Sequence, residues 1–329
     1  MHTCAFPDNL YQNKLKNFKS ITIKELALRA GVSHSTVSRA LNNHPALSRE
    51  TIERIQQLAR ELQYVPSHSA RSLKTNRSYI LGVIVHRIAD PFYSEVLGGI
   101  QNSAHQFQYS MFVSTFESDV ERQASLIQSM FGRQADALII GDSFFTAEHV
   151  TELGIHVPTV YIHNRATEIL PHSIYHDDVN ATRELTQHLL DLGHRRIAFG
   201  GNERGGLLHQ QRHAGVVAEL KDAGLDLPEE YDLLAPNGQM SSGAGLAKQL
   251  LSMPDRPTAM ICFNDMLAIG VMQTLQQANI RIPEDISVTG FDNLPLAEFT
   301  YPALTTYCQP SWELGQMAAR VALHLLGEN

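Results

Sequence analysis

Cysteine, long apolar runs and catalytic motifs are scarce in this chain, and each scarcity closes off a class of protein. Its three cysteines, Cys4, Cys262 and Cys308, are odd in number and widely spaced. They build neither a disulfide framework nor a paired-thiol metal knuckle and read as incidental or buried free thiols. No apolar run approaches the length of a membrane span. The first 20 residues carry Lys14, Lys16 and Lys19 without the hydrophobic stretch of a signal peptide, which predicts that the protein stays in the cytoplasm.

Catalytic signatures are equally sparse. No Gly-x-Ser-x-Gly elbow offers an activated nucleophile. Gly98-Gly99, Gly200-Gly201 and Gly205-Gly206 lack both the P-loop lysine and the dinucleotide fingerprint. His209 and His213 stand four apart on a predicted helix, a spacing that can ligate zinc, but neither an HExxH motif nor a third ligand accompanies them, and a chain with 16 histidines produces such pairs by chance. The expectation is a protein that is not an enzyme and uses no cofactor or metal.

What is present is concentrated in residues 21–64. Thr22 and Glu25 have capping-box spacing, and Ile23, Leu26, Ala27 and Ala30 form the inner face of the helix they open. Gly31 supplies a turn, and Ser33 caps a second helix whose Thr36, Val37, Ala40 and Leu41 alternate between groups facing inward and outward, leaving His34, Ser35 and Arg39 pointing away from the core. Two short helices joined by a glycine turn describe a helix-turn-helix, whose second helix lies in the major groove of DNA. A two-helix corner with no role in DNA binding has the same local pattern, but the charge distribution weighs against it. Residues 1–78 hold 12 Lys or Arg against 5 Asp or Glu, whereas residues 79–329 hold 14 against 29. The overall charge of −8 hides this split. Contact with a polyanion is therefore expected from the N-terminal piece alone.

The run Ile23-x-Glu25-Leu26-Ala27-x-x-Ala30-x-Val32-Ser33-x-x-Thr36-Val37-Ser38-Arg39-Ala40-Leu41 resembles the DNA-binding signature of the lactose-repressor/galactose-repressor (LacI/GalR) family of bacterial regulators. The resemblance continues over residues 20 to 327. It implies a repressor that binds a pseudo-palindromic double-stranded operator as a homodimer, associated with the nucleoid in the bacterial cytoplasm, with affinity set by a small molecule, a sugar or sugar derivative. In this reading His34, Ser35 and Arg39 contact bases, while Thr22, Ser33, Thr36, Ser38 and Asn42 lie against phosphates.

Residues 1–19 precede the family pattern and read as a flexible basic tail; residues 20–65 form the helix-turn-helix domain. Residues 66–78 are polar after Pro66 and by composition could be a plain tether. The resemblance makes them a hinge helix that orders on DNA, with Leu73 wedged between base steps from the minor groove and Arg71 and Lys74 adding cationic contacts.

From Tyr79 to residue 329 short apolar strands alternate with amphipathic helices: ILGVIV at 80–85, SMFVST at 110–115, DALII at 136–140, PTVYI at 158–162, RIAFG at 196–200, TAMICF at 258–263 and DISVTG at 285–290. Strands with crossover helices imply parallel sheets covered on both faces, here an α/β core of two Rossmann-like subdomains. The resemblance makes this core type I periplasmic-binding-protein-like, able to bind effector and dimerise, with crossings between subdomains near 177–180 and 307–310. In the family the core usually runs some twenty residues beyond the helix matching 312–326. A chain ending at Gly327-Glu328-Asn329 is expected either to be cut short or to lack an edge strand of the second subdomain. No C-terminal heptads are present to build a tetramer.

Ligands in such sheets sit beyond the carboxyl ends of the strands. Polar and aromatic groups gather there: Asp90, Phe92 and Tyr93 after the first strand, His163 after the fourth, the His-Asp-Asp of 176–178, Asn264 and Asp265 after TAMICF, and Asp292 after DISVTG. Carboxylates and amides suit vicinal hydroxyls, and an arginine adds a planar fork of donors. The resemblance assigns effector contact to Arg212, Asn264 and Asp292, and also to Phe92, His163 and Asp177. A carboxylate after a strand also commonly caps the next helix, and that alternative stands for Asp265 and Asp292. Near 237–240, where many family members place an aromatic lid, this chain reads Asn-Gly-Gln-Met, so no stacking lid is expected from that side. Two other classes fit the core alone: a sugar-binding protein of a transport system, which would need an export signal, and a sugar-modifying enzyme, which would need a catalytic pair.

Overall fold

The computed structural model describes residues 21–64, 77–116, 120–141, 154–163 and 172–328. The chain divides into two compact units, one ending at Ser78 and the other beginning at Tyr79. The basic tail of 1–19 and the hinge residues Arg71, Leu73 and Lys74 lie outside the described residues.

The first unit contains helices α1 (Ile23–Ala30), α2 (His34–Leu41) and α3 (Arg49–Glu61). Each begins where a hydroxyl side chain satisfies an otherwise orphaned backbone donor. Thr22 and Glu25 close the capping box in both directions: the Glu25 amide donates to Thr22 Oγ1 at 3.3 Å, and the Thr22 amide donates to Glu25 Oε2 at 2.8 Å. Ser33 and Ser48 accept from the Thr36 and Thr51 amides. Gly31 terminates α1 at φ 68°, a left-handed conformation that costs a residue without Cβ little. Leu26, Ala27, Ala30, Val37, Ala40, Ile55 and Ala59 form the core, whose alanines let three short helices approach closely. Arg54 and Gln56 on α3 donate to the Ala30 and Ala40 carbonyls, tying the third helix to the ends of the other two.

The second unit carries two five-stranded parallel sheets among the described residues. The first comprises β1 (Ile80–Val85), β2 (Ser110–Thr115), β3 (Ala137–Gly141), β4 (Thr159–Ile162) and β5 (Ser173–Ile174), in the order β2-β1-β3-β4-β5. The second comprises β6 (Ile197–Asn202), β7 (Asp232–Ala235), β8 (Ala259–Cys262), β9 (Ser287–Asp292) and β10 (Thr305–Cys308), in the order β7-β6-β8-β9-β10. The two orders are the same pattern repeated, as expected for two Rossmann-like halves. β3, β4 and β8 are buried throughout, which is why they read as unbroken apolar runs. Strands β5, β7 and β10 were not legible in the sequence. They are two to four residues long and stand at or near sheet edges, too short for periodicity to mark them.

Helices α4 (Pro91–Gln106) and α5 (Val120–Gly132) belong to the first lobe; α6 (Asp178–Asp191), α7 (Gly206–Asp222), α8 (Met240–Ser252) and α9 (Asp265–Gln277) belong to the second. The last helix, α10 (Ser311–Leu325), follows β10 of the second sheet but packs against α4 of the first lobe. Two glycines make the contact possible. A Cβ on Gly99 would lie 2.1 Å from the Trp312 carbonyl oxygen, and one on Gly315 would lie 2.0 Å from that of Val96. The backbones thus touch where any side chain would separate them. The chain passes between lobes after β5, before α6, and again between β10 and α10.

Candidate functional site

In a parallel sheet the carboxyl ends of all strands face one way, so the loops that follow them share one rim. Arg212, from the middle of α7, is 2% exposed there. Its Nε donates to Asp178 Oδ1 at 2.9 Å, its Nη1 donates to the Phe263 carbonyl, and Nη1 lies 3.8 Å from Asp292 Oδ1. The guanidinium is sandwiched by aromatic faces, 3.8 Å from the Phe291 centroid and 4.5 Å from that of Phe263. Burying a guanidinium costs several kcal/mol unless it is paired and hydrogen-bonded, and this environment supplies both.

The carboxylate paired with Arg212 is Asp178, which the sequence reading did not single out; effector contact was expected of its neighbour Asp177. Asp177 is exposed and caps α6, its oxygens accepting from the Asn180 backbone amide at 3.3 Å and from Asn180 Nδ2 at 2.7 Å. A signal for the right residue existed. Asp178, Ala181, Thr182 and Leu185 follow the i, i+3, i+4, i+7 stripe of a buried helix face. Asp178 Oδ2 is buried without a hydrogen-bond partner among the described residues.

Asp292 ends β9 at φ 124°, a strained conformation for a residue with a side chain. Its Oδ1 accepts from Gln309 Nε2 at 2.6 Å. Burial pushes its carboxyl well above the carboxylate range; Arg212 opposes that shift, and Asp265 and Asp90 add to it. Gln309, a residue the sequence reading missed, sits between β10 and α10 with its Oε1 buried and unpartnered among the described residues.

Asp265 occupies a different setting from the ligand-facing one expected of it. It is fully buried, with Oδ2 accepting from the Leu294 amide at 2.7 Å and Oδ1 from the Thr306 hydroxyl at 2.5 Å. It braces the segment after β9 and the strand β10 against α9. Burial, opposed by these two donors, raises its pKa to about 6. Capping, the alternative raised for Asp265 and Asp292, is found instead at Asp90, Asp177 and Asn264. Asn264 Oδ1 accepts from the Leu267 amide at 2.9 Å, and its Nδ2 donates to the Gly238 carbonyl at 3.1 Å.

From the first lobe, Phe92, Tyr93 and His163 are all buried. The Phe92 and His163 rings stack on each other, with centroids 5.1 Å apart and 22° between planes. His176, just before α6, packs edge-on against Tyr307 and Phe291. Burial lowers its pKa, aided by Arg212 and His163 and opposed by Asp178 and Asp177. The field of His163 at His176 brings the first lobe's site residues into the same electrostatic neighbourhood as the second lobe's.

In the first unit His34, Ser35, Arg39, Ser33, Asn42 and Thr22 are exposed, and Thr36 and Ser38 are half-buried. Several are engaged locally. Ser33 Oγ lies 2.7 Å from Ser35 Oγ and 2.9 Å from Thr36 Oγ1, Asn42 Nδ2 donates to the Ser38 carbonyl, and the Thr22 hydroxyl donates to Glu25. His34 and Arg39 form no side-chain hydrogen bond among the described residues, leaving an imidazole and a guanidinium on an outward face of α2.

Comparison with known proteins decides what this pair of units is. Residues 22–67 match the model of bacterial regulatory proteins of the lacI family, and residues 186–329 match the periplasmic binding protein-like domain. The ribose operon repressor of Haemophilus influenzae is 33% identical over 304 residues, covering 92% of this chain and 91% of the relative. The chain belongs to the lacI family. It is a DNA-binding transcriptional regulator with a ligand-binding core. The HTH-type transcriptional repressor CytR of Escherichia coli (strain K12) is 32% identical over 310 residues, 94% of this chain and 90% of the relative. Among solved structures, the Lac repressor dimer bound to operator and the anti-inducer ONPF superposes with a TM-score of 0.84 at 28% identity, covering 94% of each chain. Its two-lobed core and N-terminal helical region bear out the expected fold class. No described helix of this lacI-family regulator is long and apolar enough to cross a membrane. Among its described residues no group of three His, Cys, Asp or Glu side chains is placed to hold a metal ion.

Proposed function

We propose that this regulator represses transcription as a homodimer on a pseudo-palindromic operator, in the bacterial cytoplasm at the nucleoid, and that a pentose sugar in the cleft sets its affinity. The carrying observation is the character of the buried cluster around Arg212. Acceptor oxygens without donors, Asp178 Oδ2 and Gln309 Oε1, sit in it. Leaving a buried acceptor unsatisfied costs about 1–3 kcal/mol, which a ligand hydroxyl would recover. Its aromatic rings already have stacking partners: His163 on one face of Phe92, Arg212 and Tyr307 on Phe291, and Arg212 on one face of Phe263. A hydroxyl-rich ligand suits this site better than a nucleobase, which needs an open ring to stack on. The ribose operon repressor relatives point the same way.

On the DNA side, Arg39, His34 and Ser35 read base edges, and Thr22, Ser33, Thr36, Ser38 and Asn42 lie against the backbone. Arg71, Leu73 and Lys74, within the linker of residues 66–78, act as the hinge at the minor groove. Residues 20–65 form the DNA-binding domain and 79–329 the effector-binding and dimerisation core. Asp90, Phe92, Tyr93, His163, Arg212, Asn264 and Asp292 surround the ligand; Asp177 orients α6, and Asp265 holds the wall behind it. Catalysis has no part in this reading. The test is a thermal-shift screen of the purified protein against D-ribose, other pentoses, hexoses, sugar phosphates and nucleosides, with operator gel retardation repeated in the presence of each hit. Ligand at 100 times its Kd or above should stabilise by roughly 3 kcal/mol or more. The shift should vanish in Arg212→Ala, and operator affinity should change severalfold with ligand. A shift from a nucleoside and none from any pentose would replace the pentose reading by a nucleoside one.

A further inference from the structure

We propose that Asn202 is a ligand-contacting residue of the cleft and that His209, packed behind it, is its positioning residue. The inference rests on the pentose reading above and adds an amide donor to the site. Asn202 is the last residue of β6, 9% exposed, at the rim where Arg212 and Asp292 meet. Its Oδ1 accepts from the Arg204 amide at 3.0 Å. That bond fixes which way the side-chain amide faces, and Nδ2 has no hydrogen-bond partner among the described residues. A Cβ placed on Gly238 would lie 2.9 Å from Asn264 Nδ2 and 3.3 Å from Asn202 Nδ2, so the two amide nitrogens flank the space that this glycine leaves open. Asn264 spends one proton on the Gly238 carbonyl and keeps the other. Two neighbouring donors on this wall complement the unpartnered acceptors at Asp178 and Gln309: a polyol lying between them can accept on one side and donate on the other.

His209 sets where Asn202 stands. It lies in the first turn of α7, its ring filling room left by Gly201, whose Cβ would lie 2.4 Å from His209 Cε1 and 2.8 Å from Nδ1. Phe199 covers its face, with ring centroids 5.9 Å apart and 28° between planes. Nδ1 accepts the backbone N–H of Asn202 at 3.4 Å. Only unprotonated Nδ1 can accept, so the arrangement requires the neutral ring with its proton on Nε2. The titratable or charged groups acting on it are His213, one turn along the same helix, and Asp232 on β7, which itself lies 2.8 Å from His213 Nε2. β6 and the 203–205 turn present Phe199, Gly201 and Gly205 to the ring. Burial first, then His213, lowers the His209 pKa, with Asp232 opposing. The contact is therefore intact at neutral pH and is broken in acid, where an N–H on Nδ1 would face the N–H of Asn202.

The test is calorimetric titration of the full-length protein with D-ribose at pH 7.5 and 5.5, beside a pH series of the Asn202 backbone amide resonance. Asn202→Ser keeps a capping oxygen and removes the amide donor; roughly three- to tenfold weaker binding at pH 7.5 is expected, the effect of one lost neutral hydrogen bond. His209→Ala should weaken binding by a similar factor. His209→Asn, whose Oδ1 can take the place of Nδ1 and does not titrate, should restore wild-type affinity at pH 7.5. It should also lose less affinity on acidification than the wild type; His176 adds the same acid dependence to both. The Asn202 amide shift should titrate with the His209 ring in wild type and stay flat in His209→Asn. Binding by Asn202→Ser within twofold of wild type, while Arg212→Ala abolishes it, would overturn the inference and leave the sugar site standing. Wild-type affinity in His209→Ala, or full acid sensitivity in His209→Asn, would overturn the positioning role. No D-ribose binding by the wild-type protein would overturn the pentose reading and Asn202 as its contact together.

Discussion

Replacing Asp178 by alanine should be among the most damaging single changes in the second lobe, and replacing its neighbour Asp177 should be mild. Asp178 and Arg212 are joined at 2.9 Å, with side chains 1% and 3% exposed. Removing the carboxylate leaves a buried guanidinium with only Asp292, 3.8 Å away, to oppose its charge. Asp292 is a poor substitute, because burial pushes its own carboxyl toward the neutral form. Breaking a buried pair from one side costs about 3–5 kcal/mol. Asp177 contributes an exposed helix cap, a feature worth about 1 kcal/mol. Urea unfolding followed by far-UV circular dichroism would compare the two variants with wild type at pH 7.5. A difference of at least 2 kcal/mol between them is expected. Equal losses, or a larger one for Asp177→Ala, would refute the assignment of the buried pair.

Asp265 makes stability depend on pH in the opposite sense to a salt-bridged carboxylate. Its folded pKa is raised, so its contribution is fully present below the unfolded value of 3.8 and is lost as pH rises through about 6. Asp265→Asn should remove about 2 kcal/mol of that decline between pH 4 and pH 7.5, read as a flatter dependence of Tm on pH, and an unchanged slope would contradict the burial argument. Gly315→Ala should destabilise the first lobe by several kcal/mol, because the new methyl meets the Val96 backbone and no side-chain movement relieves it; a Tm within a degree of wild type would refute the close packing of α4 and α10. Arg39→Ala should relax operator preference at one base pair by about 1–3 kcal/mol, measured by gel retardation on single-base operator variants, and unchanged preference would remove Arg39 from base reading.

Local chemistry explains why so much was readable in the chain itself. Thr22, Glu25, Gly31 and Ser33 act within four residues of where they stand, so the helix-turn-helix needed no long-range information. The alternation of apolar runs and amphipathic helices likewise follows from the central strands β3, β4, β6 and β8 being buried on both faces by the helices that cover the sheets. Edge strands such as Ser173–Ile174 escaped because two residues carry no period. The return of the chain near 307–310 was expected from the resemblance, but the packing of α10 on α4 escaped because Gly99 and Gly315 announce close contact only once the helices meet.

The site divides along the same line. The strand pattern placed Asn264 and Asp292 at strand ends, since a parallel sheet sends all its carboxyl ends to one rim, while Arg212 in α7 was assigned through the family resemblance. Which neighbouring carboxylate pairs with the arginine was a question of helix phase: Asp177 stops at the cap and turns outward, while Asp178, a 100° rotation further on, enters the core. Gln309 was passed over and His209 was read only as half of a chance histidine pair, because a glutamine in a crossing and a histidine on a helix acquire meaning only from groups brought close by the fold: Asp292, 17 residues away, in one case and the Asn202 backbone in the other. Elements and rim are properties of short stretches of chain; the pairing of buried charges and the aim of each amide depend on contacts that exist only after the lobes have closed around them.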